Sequence, residues 1–296
     1  MKLYAPEYYK DFVCIADKCN HSCCVGWEID IDAETADKYA ALDSGYGKKI
    51  KESIDFSDVP CFKLGENERC PHLDGKGLCR IILELGEDHL CDICREHPRF
   101  YNATPAGREV GLGMACEEAC RIILGSDSFS EFYLLDEWEA DEEEWEFDPL
   151  FCRNEIYKIL GYGSMGYRQK IRLIEEEFRV LVSCVDAVKR NEILEELEYL
   201  DPVHKQLFVS SNVDGSCDVD ERKLERALAY FVYRHCSGAY DADEFCASLG
   251  FSLFCTELVR ALASNGIECE NAARIVSEEI EYSEDNTEMI KEKLRS

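Results

Sequence analysis

The chain has 296 residues, a formal net charge of −29 and a sequence pI near 4.5. Hydrophobic residues make up 46% and charged residues 32%, the balance of a folded chain and not of a disordered one. The charge excludes a phosphate-backbone binder, no run of 18 apolar residues marks a membrane span, and the opening MKLYAPEYYKDFVC lacks the apolar stretch of a secretory signal. The expectation is a cytoplasmic protein with neither nucleic-acid nor membrane partners.

Eighteen cysteines are many for a reduced compartment, where thiols point to metal binding or catalysis and not to disulfides. Eleven lie in residues 1–120: Cys14, Cys19, Cys23, Cys24, Cys61, Cys70, Cys79, Cys91, Cys94, Cys116 and Cys120. Charge is uneven too, net −8 over residues 1–125 and net −21 over 126–296. Together these predict a mainly α protein in three stretches. A cysteine-rich, loop-dominated metal-binding region spans 1–125, an acidic linker or helix 126–149, and a helical acidic domain 150–296.

In chain order, residues 1–31 show no helical period. Asp32-Ala-Glu-Thr opens a short helix to Leu42, ended by Ser44-Gly-Tyr-Gly. Residues 57–80 read as turns around Cys61, Cys70 and Cys79. Ile81–Leu85 predicts a short helix stopped by Gly86, and Cys116–Leu124 a helix ended by Gly125. Residues 136–148 hold nine acids and no base, which reads as a solvated linker or as a helix with Leu134, Leu135, Trp138 and Trp145 in a stripe. Ile171–Val188 and Leu224–Tyr233 carry helical periodicity, and further helices are expected near 192–200, 243–249, 252–264 and 270–294. Strand-like alternation is scarce. Gly111-Leu-Gly113 is a lone GxG without a strand-then-helix context, so it carries little weight as a phosphate site.

The cysteine spacing is the strongest chemical signal. Cys14-x4-Cys19-x3-Cys23-Cys24 places four thiols within 11 residues, and Cys91-x2-Cys94 is the knuckle that presents two sulfurs to one ion. Only one such knuckle exists, whereas zinc sites usually pair two, and iron–sulfur clusters tolerate more varied spacing. Spacing favours iron–sulfur and leaves zinc open. Cys152, Cys184, Cys236, Cys246, Cys255 and Cys269 read as buried core thiols. His21, His72 and His97 lie near clustered cysteines, as ligands, as partners of ligands or as ordinary turn and core histidines. Arg99, close to Cys94, suits a thiolate-rich centre or a carboxylate, and equally a plain surface position.

Tyr4-Ala-Pro-Glu-Tyr-Tyr9 followed by Phe12-x-Cys14-x4-Cys19-x3-Cys23-Cys24-x-Gly26-Trp27 resembles the opening of the flagellin lysine-N-methylase family, part of the CxxCxxCC group of zinc- or iron-chelating domains. The resemblance continues through Cys70-x-His-Leu-x-Gly-x-Gly-Leu-Cys79, Leu85-Gly86-Glu87, Cys94-x2-His97-Pro98-Arg99 and Cys116, and returns at Ser277–Asn286. His97 stands where the family usually has tyrosine, and Ala115-Cys116-Glu117 replaces its Ser-Cys-Pro. The resemblance implies transfer of methyl groups from S-adenosylmethionine to flagellin lysines, with a bound iron–sulfur cluster of the [4Fe–4S] kind and zinc as the alternative metal. Cys14, Cys19, Cys23, Cys24, Cys70, Cys79, Cys94 and Cys116 match its cysteine positions; Cys61, Cys91 and Cys120 do not match clearly. Arg99, in the family-matching Pro-Arg pair, is the expected contact to the carboxylate of the methyl donor. The competing expectation is a non-catalytic zinc- or iron-binding protein that delivers metal. No Rossmann domain is expected, because β–α alternation is missing.

Overall fold

The computed structural model describes residues 1–140, 144–182, 185–211 and 218–295. Cys184 and residues 141–143 of the acidic run therefore lie outside the described residues. Among these there are six strands: β1 (Lys2–Pro6), β2 (Ile54–Asp55), β3 (Cys61–Phe62), β4 (Arg99–Thr104), β5 (Gly107–Leu112) and β6 (Phe132–Glu137). The helices are α1 (Ala33–Ala40), α2 (Gly45–Glu52), α3 (Arg80–Leu85), α4 (Asp92–Glu96), α5 (Glu117–Gly125), α6 (Pro149–Leu160), α7 (Tyr167–Phe178), α8 (Ala187–Glu196), α9 (Pro202–Ser210), α10 (Glu221–Cys236), α11 (Ala242–Ser264), α12 (Cys269–Val276) and α13 (Glu284–Arg295). The mainly α expectation holds.

The chain divides into two compact units, Val13–Pro98 and, as the other, Met1–Phe12 with Arg99–Ser296. This differs from the linear division at residue 125. Strand pairing is the reason: β1 lies between β5, to which it runs parallel, and β6, to which it runs antiparallel, in a sheet ordered β4-β5-β1-β6. The first strand and the β4–β5 hairpin therefore belong with the helices and not with the cysteines. The sheet was not foreseen from hydrophobic alternation, because β5 is buried over four consecutive residues and β6 is exposed over its last four.

In the larger unit, α11 is a single 23-residue helix and not two, since Gly250 lies inside a segment buried on all sides. By length and composition α11 alone among the described helices is long and apolar enough to cross a membrane, and 83% of its apolar window is buried against the rest of the protein. The helix expected over 171–188 is cut at Arg179, which adopts a left-handed conformation (φ +54°). The buried Glu175 carboxylate accepts the Val182 N–H at 2.8 Å and holds that turn. The helix expected over 270–294 is broken by a π-helical segment, Ser277–Glu281, whose Glu279 and Glu281 side chains are buried. The stripe of Leu134, Leu135, Trp138 and Trp145 is not helical: the two leucines are in β6, and Trp145 stacks on Tyr240 with ring centroids 4.5 Å apart.

Gly111 lies in the strand β5 and Gly113 between it and the helix α5, so the GxG does have a strand-then-helix context, contrary to the reading of the sequence. Side chains fill that place, however. A Cβ on Gly111 would come within 2.3 Å of the Phe100 ring, and one on Gly113 within 2.0 Å of the Tyr282 hydroxyl. These glycines admit neighbouring side chains and not a phosphate.

Candidate metal centre

The unit Val13–Pro98 folds around a small core of Ile29, Ile31, Tyr39, Ile50, Ile54 and Phe62 together with Cys70, Leu73, Ile81 and Cys91; Cys24, Cys79 and Cys94 pack against it. Backbone pairing gathers these sulfurs from distant sequence. Gly26 turns the chain in the left-handed region (φ +83°), Val25 bridges Arg69, and the Cys70 N–H donates to the Cys24 carbonyl at 2.8 Å. This joins the first cysteine motif to the second. Asp74 closes the loop between Cys70 and Cys79: one carboxylate oxygen accepts from the N–H groups of Lys76 at 2.7 Å and Leu78 at 2.9 Å, and Leu73 bridges Cys79. Cys79 and Cys91 then stand at the N-caps of α3 and α4.

Asp32 links α1 to the knuckle. One oxygen caps α1 through the Thr35 N–H and the other accepts the Asp92 N–H at the start of α4, each at 2.9 Å. Burial opposes ionisation there, but these N–H donors prevail and hold the carboxyl below its ordinary pKa.

The sulfur environments share a pattern. The backbone N–H groups of His72 and Leu73 favour the charged form of Cys70, and those of Ile82 and Ile81 that of Cys79. Burial pushes the Cys70 thiol up to about 11 and raises Cys79, while these donors pull the other way. Hydrogen bonding between the Cys91 and Cys94 side chains lowers the first thiol and raises the second. Cys23 is exposed, and its hydrogen bond with Cys24 raises its pKa. Sulfurs buried from water yet aimed at by N–H donors suit thiolates neutralised by a bound cationic centre.

The donor set therefore fits a thiolate-bound centre. Six sulfurs are candidates: Cys23, Cys24, Cys70, Cys79, Cys91 and Cys94. Among the described residues, no three of these sulfurs lie within 4.8 Å of one another, whereas four thiolates on one zinc would sit ~3.8 Å apart given a Zn–S bond of ~2.3 Å. Of the other expected positions, Cys14 is exposed, and the half-buried Cys19 donates its thiol to the His21 carbonyl at 2.6 Å. Cys116 belongs to the other unit, at the N-cap of α5. Cys91, which matches the family less clearly, joins the set through its knuckle with Cys94.

His72 is not placed as a ligand. Its Nδ1 lies 3.0 Å from the Tyr46 hydroxyl and its Nε2 2.9 Å from the Ser53 hydroxyl, and burial lowers its pKa to about 4. It is a neutral core histidine that orders the loop after Cys70. Arg99 opens β4 in the larger unit, where its Nε donates to the Tyr9 hydroxyl at 2.8 Å and its guanidinium lies over the Tyr9 and Phe12 rings.

The larger unit holds its own polar cluster. Glu281, fully buried, accepts from the Tyr230 hydroxyl at 2.9 Å, lies 2.9 Å from His235 Nε2 and pairs with Arg234 at 3.2 Å. The Tyr230 hydroxyl in turn accepts the Met114 N–H at 3.1 Å, which fixes the turn leading to Cys116. His204, Glu278 and Glu279 also bring ligand-type atoms together. Their partners mark a structural role: Glu279 accepts the N–H groups of Leu200 and Asp201 at the start of α9, and Glu278 pairs with Arg274.

Comparison with known proteins gives distant matches. The chain is 29% identical, over 126 residues, to the Flagellar biosynthetic protein FliU of Salmonella muenchen, covering 40% of this chain and 75% of that protein. It is 28% identical over 154 residues to proteins named Lysine-N-methylase from Salmonella choleraesuis and Salmonella typhimurium, which is 49% of this chain and 37% of each of theirs. The match thus spans little more than a third of those two proteins. No family model matches, and no solved structure matches.

Proposed function

We propose that this chain is a protein-lysine methyltransferase that takes methyl groups from S-adenosylmethionine and places them on flagellin, with an iron–sulfur cluster bound in Val13–Pro98. The observation that carries the reading is the gathering of five cysteines, Cys24, Cys70, Cys79, Cys91 and Cys94, around one small core, with Cys23 next to Cys24 in the chain, in a protein whose distant relatives are named Lysine-N-methylase. Four of Cys23, Cys24, Cys70, Cys79, Cys91 and Cys94 would hold it; Cys14, Cys19 and Cys116 stand outside this set.

When bound, a cluster of this type supplies a one-electron redox centre or a rigid scaffold. The chain's residues do the rest. Asp32 sets the start of α4 under Cys91, and His72 orders the Cys70 loop. Methyl transfer needs the neutral lysine amine as nucleophile, so the substrate lysine must lose its proton before attack. Arg99 is the proposed partner of the donor's carboxylate. It lines neither of two hollows of the larger unit, one of about 10 Å³ among Tyr8, Tyr157, Tyr230 and Tyr233 and one of about 390 Å³ by Phe151, Asn154 and Lys158.

The test is incubation of anaerobically purified protein with S-adenosylmethionine and flagellin from the same organism, followed by mass spectrometry for methylated lysines. Methylation that disappears in Cys70→Ser and Cys94→Ser is expected, and Arg99→Ala should raise KM for the donor more than it lowers kcat. If no lysine is methylated under oxidising or reducing conditions, a metal-delivery role replaces this one.

A further inference from the structure

The sheet of the larger unit ends at β6, whose hydrogen-bonded neighbour is β1. From Leu134 to Ala140 every residue is exposed, including Leu134 (47%), Leu135 (42%) and Trp138 (39%). The ladder slips by one residue opposite Leu3 and Tyr4, so that Leu135 is the extra residue of a bulge. Asp136, Glu137 and Glu139 interleave with these apolar side chains, and no base lies between Phe132 and Asp148.

An open strand edge is a template for another strand, and proteins usually guard such edges with charge. Here all the guarding charge has one sign. It repels a second copy of the same acidic edge, and it repels the rest of this chain's negative surface. It does not repel a basic strand. An extended segment bearing lysines at alternate positions would pair its main chain with β6, set its lysines on one face against Glu137 and Glu139, and lay their aliphatic stems on the exposed apolar side chains of that face.

We infer that the exposed edge of β6, residues 132–139, docks an extended lysine-bearing peptide segment of a partner protein by strand addition. This stands apart from methyl transfer, because it concerns binding alone and is measured with no methyl donor present.

The probe is a fluorescein-labelled peptide of about ten residues, alternating lysine with valine and threonine, titrated with the full chain and followed by anisotropy. Two control peptides carry glutamate in place of lysine, or proline at alternate positions with the lysines kept. Binding by the lysine peptide is expected at about 50 mM salt, weakened about tenfold or more at about 500 mM, where the screening length falls below ~5 Å. The glutamate and proline peptides should bind at least about tenfold more weakly. The variant D136K/E137K, with both side chains exposed, should lose about tenfold while unfolding at the same temperature as the wild type. Amides of residues 132–137 should gain protection from hydrogen exchange in the complex. Equal binding of the proline and lysine peptides would show charge attraction without strand pairing and overturn the inference. So would binding untouched by D136K/E137K, or protection that falls elsewhere.

Discussion

The unit Val13–Pro98 builds its apolar interior from ten buried side chains, two of them cysteines, and its helices have at most eight residues. The unit formed by Met1–Phe12 and Arg99–Ser296 has instead a 23-residue central helix whose Leu249, Phe251, Leu253, Phe254, Leu258, Val259 and Leu262 are all buried. Small cores rarely suffice alone and are commonly supplemented by metal or disulfides. The contrast leads to different expectations for the two units: the proposed thiolate-bound centre would stabilise the first, whereas apolar burial stabilises the second.

The sharpest way to break that comparison is to remove the metal. Chelation, or Cys70→Ser, should lower hydrogen-exchange protection of amides near Ile29, Ile50 and Ile81 by about a hundredfold or more, since metal binding and folding are coupled. Amides of α10 and α11 should be unaffected. Equal loss in both units would show that the larger unit also depends on the centre.

The larger unit has its own point of failure. Arg153 and Glu109 form a buried two-pronged ion pair at 2.6 and 3.0 Å, with the Ser237 hydroxyl as a third partner. Glu109→Gln leaves the guanidinium uncompensated and should cost about 3–5 kcal/mol in denaturant unfolding. The chelation-sensitive protection of the smaller unit should not change in parallel.

Asp32→Ala removes the caps of two helices at once and should destabilise Val13–Pro98 by about 2 kcal/mol. It should also loosen metal retention at the Cys91–Cys94 knuckle, measurable as faster loss of metal to a chelator. Metal loss at the wild-type rate would separate the cap from the centre.

The smallest effect concerns pH. The hydrogen bond that His204 donates to the Glu279 carboxylate raises the His204 pKa above its ordinary value near 6.5. Stability from this pair is complete below that value and fades as pH rises through the folded pKa. His204→Gln should therefore lower the unfolding temperature more at about pH 6 than at about pH 8.5. A constant difference would show that the pair holds α9 by geometry and not by charge.

Much of the helical architecture was readable because its signals are local. Asp32 opens α1, Gly86 follows α3, and the apolar spacing of Leu224, Ala227, Leu228 and Phe231 marks α10. What was hidden depends on partners far along the chain. The pairing of β1 with β5 and β6 leaves no trace in a five-residue strand, and Gly250 reads as a break only until its burial is known. In the candidate site, the Cys91–Cys94 knuckle was legible from spacing alone. The approach of Cys70 to Cys24 was not, because it depends on the backbone hydrogen bond between them, 46 residues apart in the chain. The roles of Tyr46 and Ser53 on His72 likewise needed the fold.

The central claim is that the smaller unit is organised around an iron–sulfur cluster held by cysteines. Iron, zinc and acid-labile sulfide measured per chain after anaerobic purification test it most directly. The account predicts roughly four iron and four sulfide per chain, a brown chromophore, and loss of both in Cys70→Ser and Cys94→Ser. Colourless protein with about one zinc per chain and no sulfide would contradict it.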